Sequence, residues 1–219
     1  MATTLTAPTV TPTSTNRSLA WAQANRRLLL IVGGVLVAAV LVVWFLTTAK
    51  SRREDFASRA LSQARNIAES GNIPQASTEF QKLIDTYGGT VASKDAEISL
   101  NQLRLISGQS ELAIVRLRDF VKSNPGPEFV TSANGLLGSA LENVKRGTEA
   151  GDAYTAASNA AGVDYLKAEY LVQAGRAYKD GGSKDKSIAA YRLVIEKYSK
   201  TPPFTEAQVR LAELTKGQM

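Results

Sequence analysis

Hydrophobic and polar positions alternate along this chain on two scales. The run Leu28–Leu46, LLLIVGGVLVAAVLVVWFL, carries no charge over 19 residues. At roughly 1.5 Å per residue, a helix of that length spans about 28 Å, the thickness of a bilayer's hydrocarbon core. From residue 57 onward the apolar positions return at the 3.6-residue helical period, and glycine, asparagine or proline interrupts them at intervals. The elements predicted are one membrane-grade helix followed by a succession of amphipathic helices, an all-α chain.

The interruptions recur every 37 residues, in copies that begin at Ala57, Lys94, Thr131 and Ala168. Position eight of each copy is Ala64, Asn101, Gly138 and Gly175, and position fifteen is Gly71, Gly108, Lys145 and Gly182. Position twenty is Ala76, Ala113, Ala150 and Ser187, and position twenty-four is Phe80, Leu117, Tyr154 and Tyr191. Small, turn-forming, small, then large apolar is the pattern of two antiparallel helices packed closely together. In the first copy the break is Gly71-Asn72, where Asn72 can cap the second helix and Pro74 sits in its first turn. The other breaks fall at Ser107-Gly108, near Lys145-Arg146-Gly147, and at Gly181-Gly182. The segments FQKLIDTY (80–87) and YRLVIEKY (191–198) repeat the same order of aromatic, aliphatic and acidic residues. A last helix over Thr205–Thr215 stands where a fifth copy would begin, as the half-repeat that closes a solenoid.

This pattern resembles the tetratricopeptide repeat. Leu137-Gly138 matches the repeat's Leu-Gly pair, Gly175 and Tyr178 its glycine and first aromatic, Ala76 and Phe80 its later small and aromatic positions, and Pro125 its closing proline. The second copy departs from it, with Asn101 and Arg104 at the glycine and first-aromatic positions, and Lys145 replaces the turn glycine of the third. The resemblance implies a helical-hairpin solenoid of four 37-residue units with a C-terminal capping helix, following a single transmembrane helix. The whole layout, ending in PPFTEAQVRLAEL, looks like the ancillary SecYEG translocon subunit family. That likeness implies a single-pass protein of the bacterial inner membrane, with a periplasmic domain that works beside the translocon and periplasmic chaperones.

The expected organisation is a disordered, basic-flanked tail over 1–27, a transmembrane helix over 28–46, a juxtamembrane linker or helix extension over 47–56, and the repeat domain over 57–219. Trp21 and Trp44 would lie at the two membrane interfaces, with Arg26, Arg27 and Lys50 flanking the span. A cleaved signal peptide, cut after Ala49, is the alternative; the apolar run exceeds the 7–15 residues typical of a signal's hydrophobic region, which favours a retained anchor. The positive-inside count is nearly even or slightly favours a cytoplasmic C-terminal side, but large domains translocate largely regardless of it, and the preferred orientation has a cytoplasmic N-terminus and an exported C-terminal domain. Gly34 and Ala38 form a small-xxx-small pair, a face through which the anchor could build homo- or hetero-oligomers.

Composition narrows the chemistry. The net charge is +6, but Arg17, Arg26 and Arg27 precede the first acid, leaving 23 basic and 20 acidic residues in the remainder. No basic stripe of the kind that follows a phosphate backbone is present, so nucleic acid is not an expected partner. Cysteine and histidine are both absent, which removes thiolate chemistry and the commonest general base and metal ligand. Gly181-Gly182-Ser183-Lys184 lacks the spacing of a phosphate loop, and Asp152, Asp164 and Asp180 are isolated acids suited to caps or solvent. No catalytic residue, metal site or cofactor is expected.

What remains is binding of proteins or peptide segments. The family resemblance implies a concave groove lined by positions five and nine of each first helix. Those are Leu61 and Arg65, Ile98 and Gln102, Gly135 and Ser139, Val172 and Arg176, with Leu105 extending the set. The expected function is a membrane-anchored adaptor or scaffold for protein translocation or folding, and the alternative is a structural accessory subunit of a larger membrane complex.

Overall fold

A 44-residue helix, α1 (Arg26–Glu69), opens the computed structural model of the chain, which describes residues 21 and 23–216. Most of the expected tail lies outside the described residues. Where its end is described it is helical: Asn25 N donates to Trp21 O and Leu29 N to Asn25 O, each at 3.0 Å. Two structural units meet between Arg52 and Arg53, inside α1. In the first, the apolar stretch of α1 is long and apolar enough to cross a membrane, and its large side chains, from Leu28 to Leu46, are exposed. Residues 47–56 are helical and continuous with the rest of α1.

The second unit, from Arg53, is helical hairpins throughout. The last turns of α1 are followed by α2 (Ile73–Tyr87), α3 (Val91–Ile106), α4 (Ser110–Lys122), α5 (Pro127–Asn143), α6 (Gly147–Ala160), α7 (Asp164–Asp180), α8 (Lys184–Lys197) and α9 (Pro203–Thr215). Each hairpin breaks for a local reason. Position fifteen has a left-handed backbone in all four copies, with φ of 85° at Gly71, 74° at Gly108, 60° at Lys145 and 77° at Gly182. Three copies meet that requirement with glycine, whereas Lys145 adopts it at a steric cost. Asn72 Oδ1 accepts from Gln75 N at 3.3 Å, capping α2 as expected, and Thr90 Oγ1 accepts from Ser93 N at 3.0 Å to cap α3. The closing helix α9 starts two residues ahead of its expected position, at Pro203, whose missing N–H is no loss in a first turn.

The close approach of the two helices in a unit is visible at positions eight and twenty-four. A Cβ added at Gly138 would fall 2.5 Å from the Tyr154 ring, and one at Gly175 would fall 2.6 Å from the Tyr191 ring. Ala64 and Asn101, the other two position-eight residues, are wholly buried, as are all four residues at position twenty. Phe80, Leu117, Tyr154 and Tyr191 at position twenty-four are buried too. The same contact forms between units where the Tyr178 ring of α7 lies on Gly151 of α6.

Three clusters make up the core of this unit. One joins α1, α2 and α3 through Leu61, Ala64, Phe80, Leu83 and Leu100. A second runs from α4 to α8 around Leu117, Leu141, Tyr154 and Tyr178. A third closes α7, α8 and α9 around Leu171, Tyr191, Val194 and Leu211. Helix α7 contributes to the last two, so neighbouring hairpins share core in the manner of a solenoid.

Two charged side chains on α1 reach the ends of the two helices that follow it. Arg53 donates to the carbonyl oxygens of Thr86 and Gly88, at 3.2 and 3.3 Å, at the end of α2. Glu54 accepts from Val91 N at 3.0 Å and from Ala92 N at 2.9 Å, at the start of α3. Each charge complements the helix end it meets, positive at a C-terminus and negative at an N-terminus. These bonds supply partners for backbone groups that have none within their own helices.

Three stability measurements on the full chain check this account. Gly175→Ala should destabilise by about 1–3 kcal/mol because the Tyr191 ring must move, whereas Gly162→Ala, with no atom within 4 Å of the added Cβ, should stay within about 0.5 kcal/mol of the parent. Lys145→Gly should stabilise by about 0.5–1 kcal/mol, the relief of a left-handed side-chain residue less the extra freedom glycine has when unfolded. Glu54→Ala should lower stability by about 1–2 kcal/mol through two lost charge-assisted caps. Thermal unfolding followed by circular dichroism reads all three.

Candidate functional site

Consecutive first helices, α1, α3, α5 and α7, present one residue per unit at position nine. Arg65, Gln102 and Arg176 are exposed there, and Ser139 is half-buried. Position five does not join them. Leu61 is 6 % exposed and Val172 5 %, both inside core clusters, while Gly135 is buried beneath the Tyr170 ring, which a Cβ would approach to 2.8 Å. Ile98 and Leu105 are half-buried and pack on the α4–α8 core. The expected groove therefore loses its apolar half. The physical reason is that adjacent first helices pack against each other, and position five lies at that contact while position nine looks out past it.

The exposed residues form links between units. Arg65 of α1 stands 3.8 Å from Asp95 of α3, and Arg176 of α7 stands 3.4 Å from Glu142 of α5. Arg65 and Arg176 are exposed, and Asp95 and Glu142 are half-buried; surface pairs of this kind contribute between about 0 and 1 kcal/mol, so neither arginine is committed to holding the fold. Glu142 is shared: it also accepts the Tyr154 hydroxyl at 2.6 Å, and Ser139 Oγ lies 3.1 Å from that same oxygen. Burial, with Glu142 as acceptor, raises the Tyr154 hydroxyl well above its ordinary value, so it remains a fixed donor. The Tyr154 and Tyr170 rings stack with centroids 6.5 Å apart. Ser139 and Arg176 are thus brought into one network with Glu142, a partner that position counting does not find because it comes from one helical turn further along α5.

A second network lies on the other side of α6. Asp152 accepts from the Tyr178 hydroxyl at 2.7 Å and from Lys186 Nζ at 2.8 Å. Burial pushes the Tyr191 hydroxyl up to about 12. Asp152 is exposed, as a solvated acid would be, but it is not isolated: it ties α6 to α7 and α8. Asp164 begins α7 and lies 3.4 Å from Lys167, at a helix N-terminus where an acid is favoured. Gly181 and Gly182 turn between α7 and α8, and Gly181 packs against the backbone of Thr148, so this glycine pair serves chain geometry.

The residues expected to flank the apolar span are all exposed. Trp21 and Trp44 are exposed, as are Arg26, Arg27 and Lys50. Trp44 belongs to α1, and its separation of 23 residues from Trp21 corresponds to about 35 Å along a helix. Among the described residues, no group of three or more acids could hold a metal ion.

Solved structures with this arrangement of helices include the MamA protein, with a TM-score of 0.57 and 21% sequence identity over 74% of this chain and 82% of that one. The nearly identical repeats of a Podosopora anserina kinesin light chain give a TM-score of 0.58 and 15% identity, over 73% of this chain and 85% of that one. At these identities the likeness is one of fold. No curated protein sequence matches the chain. The match to the tetratricopeptide repeat-like domain extends over residues 20–216, and the chain belongs to that family.

Proposed function

We propose that this protein is an adaptor that holds other polypeptides against the row of first helices while α1 tethers it to a membrane. The observation that carries the reading is the row Arg65, Gln102, Ser139 and Arg176, one polar residue per unit on successive first helices, exposed in three and half-buried at Ser139. A regular row of hydrogen-bonding groups on a stiff solenoid suits an extended or helical peptide, which offers groups at a matching repeat. The two arginines can leave Asp95 and Glu142 for a partner's acceptors at little net expense, because their present pairs are weak and solvated.

Tethering supports weak contacts of this kind, since confinement raises the effective concentration of partners in the same membrane. The layout of the sequence favours a bacterial inner membrane, a single pass, an exported periplasmic domain and work beside the translocon. The absence of cysteine and histidine from the chain fits a role in binding.

Crosslinking in native membranes tests the surface. Arg65→Ala combined with Arg176→Ala in the full chain should reduce crosslinked polypeptides several-fold, with an unchanged melting curve. Undiminished crosslinking overturns the assignment of this row as the contact surface. Stoichiometric recovery of one fixed set of partners with both parent and variant would instead identify an accessory subunit of a membrane complex.

A further inference from the structure

Helix α3 departs from its counterparts at two points. Asn101 stands where α5 and α7 have Gly138 and Gly175, and Arg104 stands where α7 has Tyr178. A glycine lets the ring at position twenty-four lie on the backbone, but Asn101 fills that space with a polar side chain that must be satisfied inside the protein. It is satisfied within α3: Asn101 Nδ2 donates to Glu97 O, and Asn101 Oδ1 accepts from Arg104 Nη1, both at 2.9 Å. Helices α3 and α4 consequently meet less closely than the paired helices of the third and fourth units. The core changes from one cluster to the next at the same place.

Beside this departure, a groove of about 830 Å³ lies between α2 and α4, floored by the face of α3 that carries Leu100 and Arg104, roughly 200° around the helix from Gln102 at position nine. That is within the range of ligand-sized clefts. Its wall on α2 is a single stripe from Ile73 to Thr86, so it runs about 20 Å, the span of roughly six extended residues. Leu100 and Arg104 form the floor, and Leu112 of α4 forms the far wall, 43% exposed.

Arg104 is the chemically distinctive group here. Its guanidinium carries five N–H donors, of which one Nη bonds Asn101. Among the described residues no carboxylate lies within 4.0 Å of it. Lys82, on the α2 wall, lies 3.9 Å from Glu79, and Asp85 accepts from Gln81 Nε2 at 2.9 Å, so Arg104 is the cation of this lining without a carboxylate beside it among the described residues.

We propose that this groove binds an extended acidic segment of a partner polypeptide, with its carboxylate on Arg104 and a neighbouring aliphatic side chain against Ile73, Leu100 and Leu112. The charge is complementary, and a planar guanidinium accepts a carboxylate through two parallel hydrogen bonds. Partial burial lowers the pKa of Arg104, with the charge of Glu97 acting against that trend and Arg116 adding to it. A bound carboxylate would therefore meet a cation already stripped of part of its water, which strengthens the pair. This site is independent of the row at position nine and uses the other face of α3.

Binding of two labelled hexapeptides to the full chain in lipid nanodiscs tests the proposal, one alternating leucine with glutamate and the other leucine with glutamine. The parent should bind the glutamate peptide about tenfold or more tightly than the glutamine peptide, by fluorescence anisotropy. Arg104→Gln should remove that preference. Leu112→Glu, at an exposed position, should weaken the glutamate peptide by a similar factor through repulsion while leaving the melting curve unchanged. The Arg65→Ala, Arg176→Ala variant should bind both peptides as the parent does. Equal binding of the two peptides by the parent, or a preference that survives both Arg104→Gln and Leu112→Glu, overturns the proposal. Loss of the glutamate peptide in the position-nine variant, with retention in Arg104→Gln, overturns it as well.

Discussion

Everything in the repeat domain depends on how closely two helix backbones approach at position eight. In the third and fourth units that approach is set by a tyrosine ring resting on a glycine, at a distance that leaves no room for even a methyl group. Such contacts bury a large apolar ring and bring backbone close to backbone, which gains dispersion energy that a looser pair of helices would forfeit. They also fix rotation about the helix axes, because the ring has only one shallow place to lie. Once rotation is fixed, every other position in the unit acquires a definite direction.

Those directions explain which surfaces are free. Position five turns toward the neighbouring first helix and is consumed by packing, as Leu61 and Val172 show. Position nine turns outward and carries arginine, glutamine and serine. The outward row is polar, and the links it makes, Arg65 with Asp95 and Arg176 with Glu142, connect alternate helices through arginines that stay exposed. A surface built of weak, solvated pairs can exchange them for those of a partner, which a surface of buried apolar contacts cannot do without local unfolding.

The second unit is where the rule is broken. Asn101 satisfies itself within its own helix by way of Arg104, and Arg104 in turn lies on the floor of a groove between α2 and α4. A polar residue at a close-packing position weakens a core unless it is satisfied, and here it is, by a backbone carbonyl and a guanidinium. The first unit is held differently again. Its opening helix continues out of α1, and Arg53 and Glu54 bind the facing ends of α2 and α3. The domain thereby begins within a helix whose other end has the composition of a membrane span.

The 37-residue register, the left-handed turn at position fifteen, the small residue at positions eight and twenty, and the extent of the apolar run were all legible in the sequence. They were legible because each depends on local requirements: a backbone angle that suits glycine, a helical period, a length set against a bilayer. Even the exception at Lys145 could be read, since its neighbours in register are glycines. The fate of position five was not, because Leu61 in a groove and Leu61 in a core have the same local sequence and differ only in how close the next first helix comes. Nor were the bonds from Val91 and Ala92 to Glu54, which join residues 37 and 38 apart, or the sharing of Glu142 between Tyr154 and Arg176. Local pattern determines which elements form and where they end. The distances between elements are set by the sum of all their contacts, and only the folded chain decides which polar groups meet.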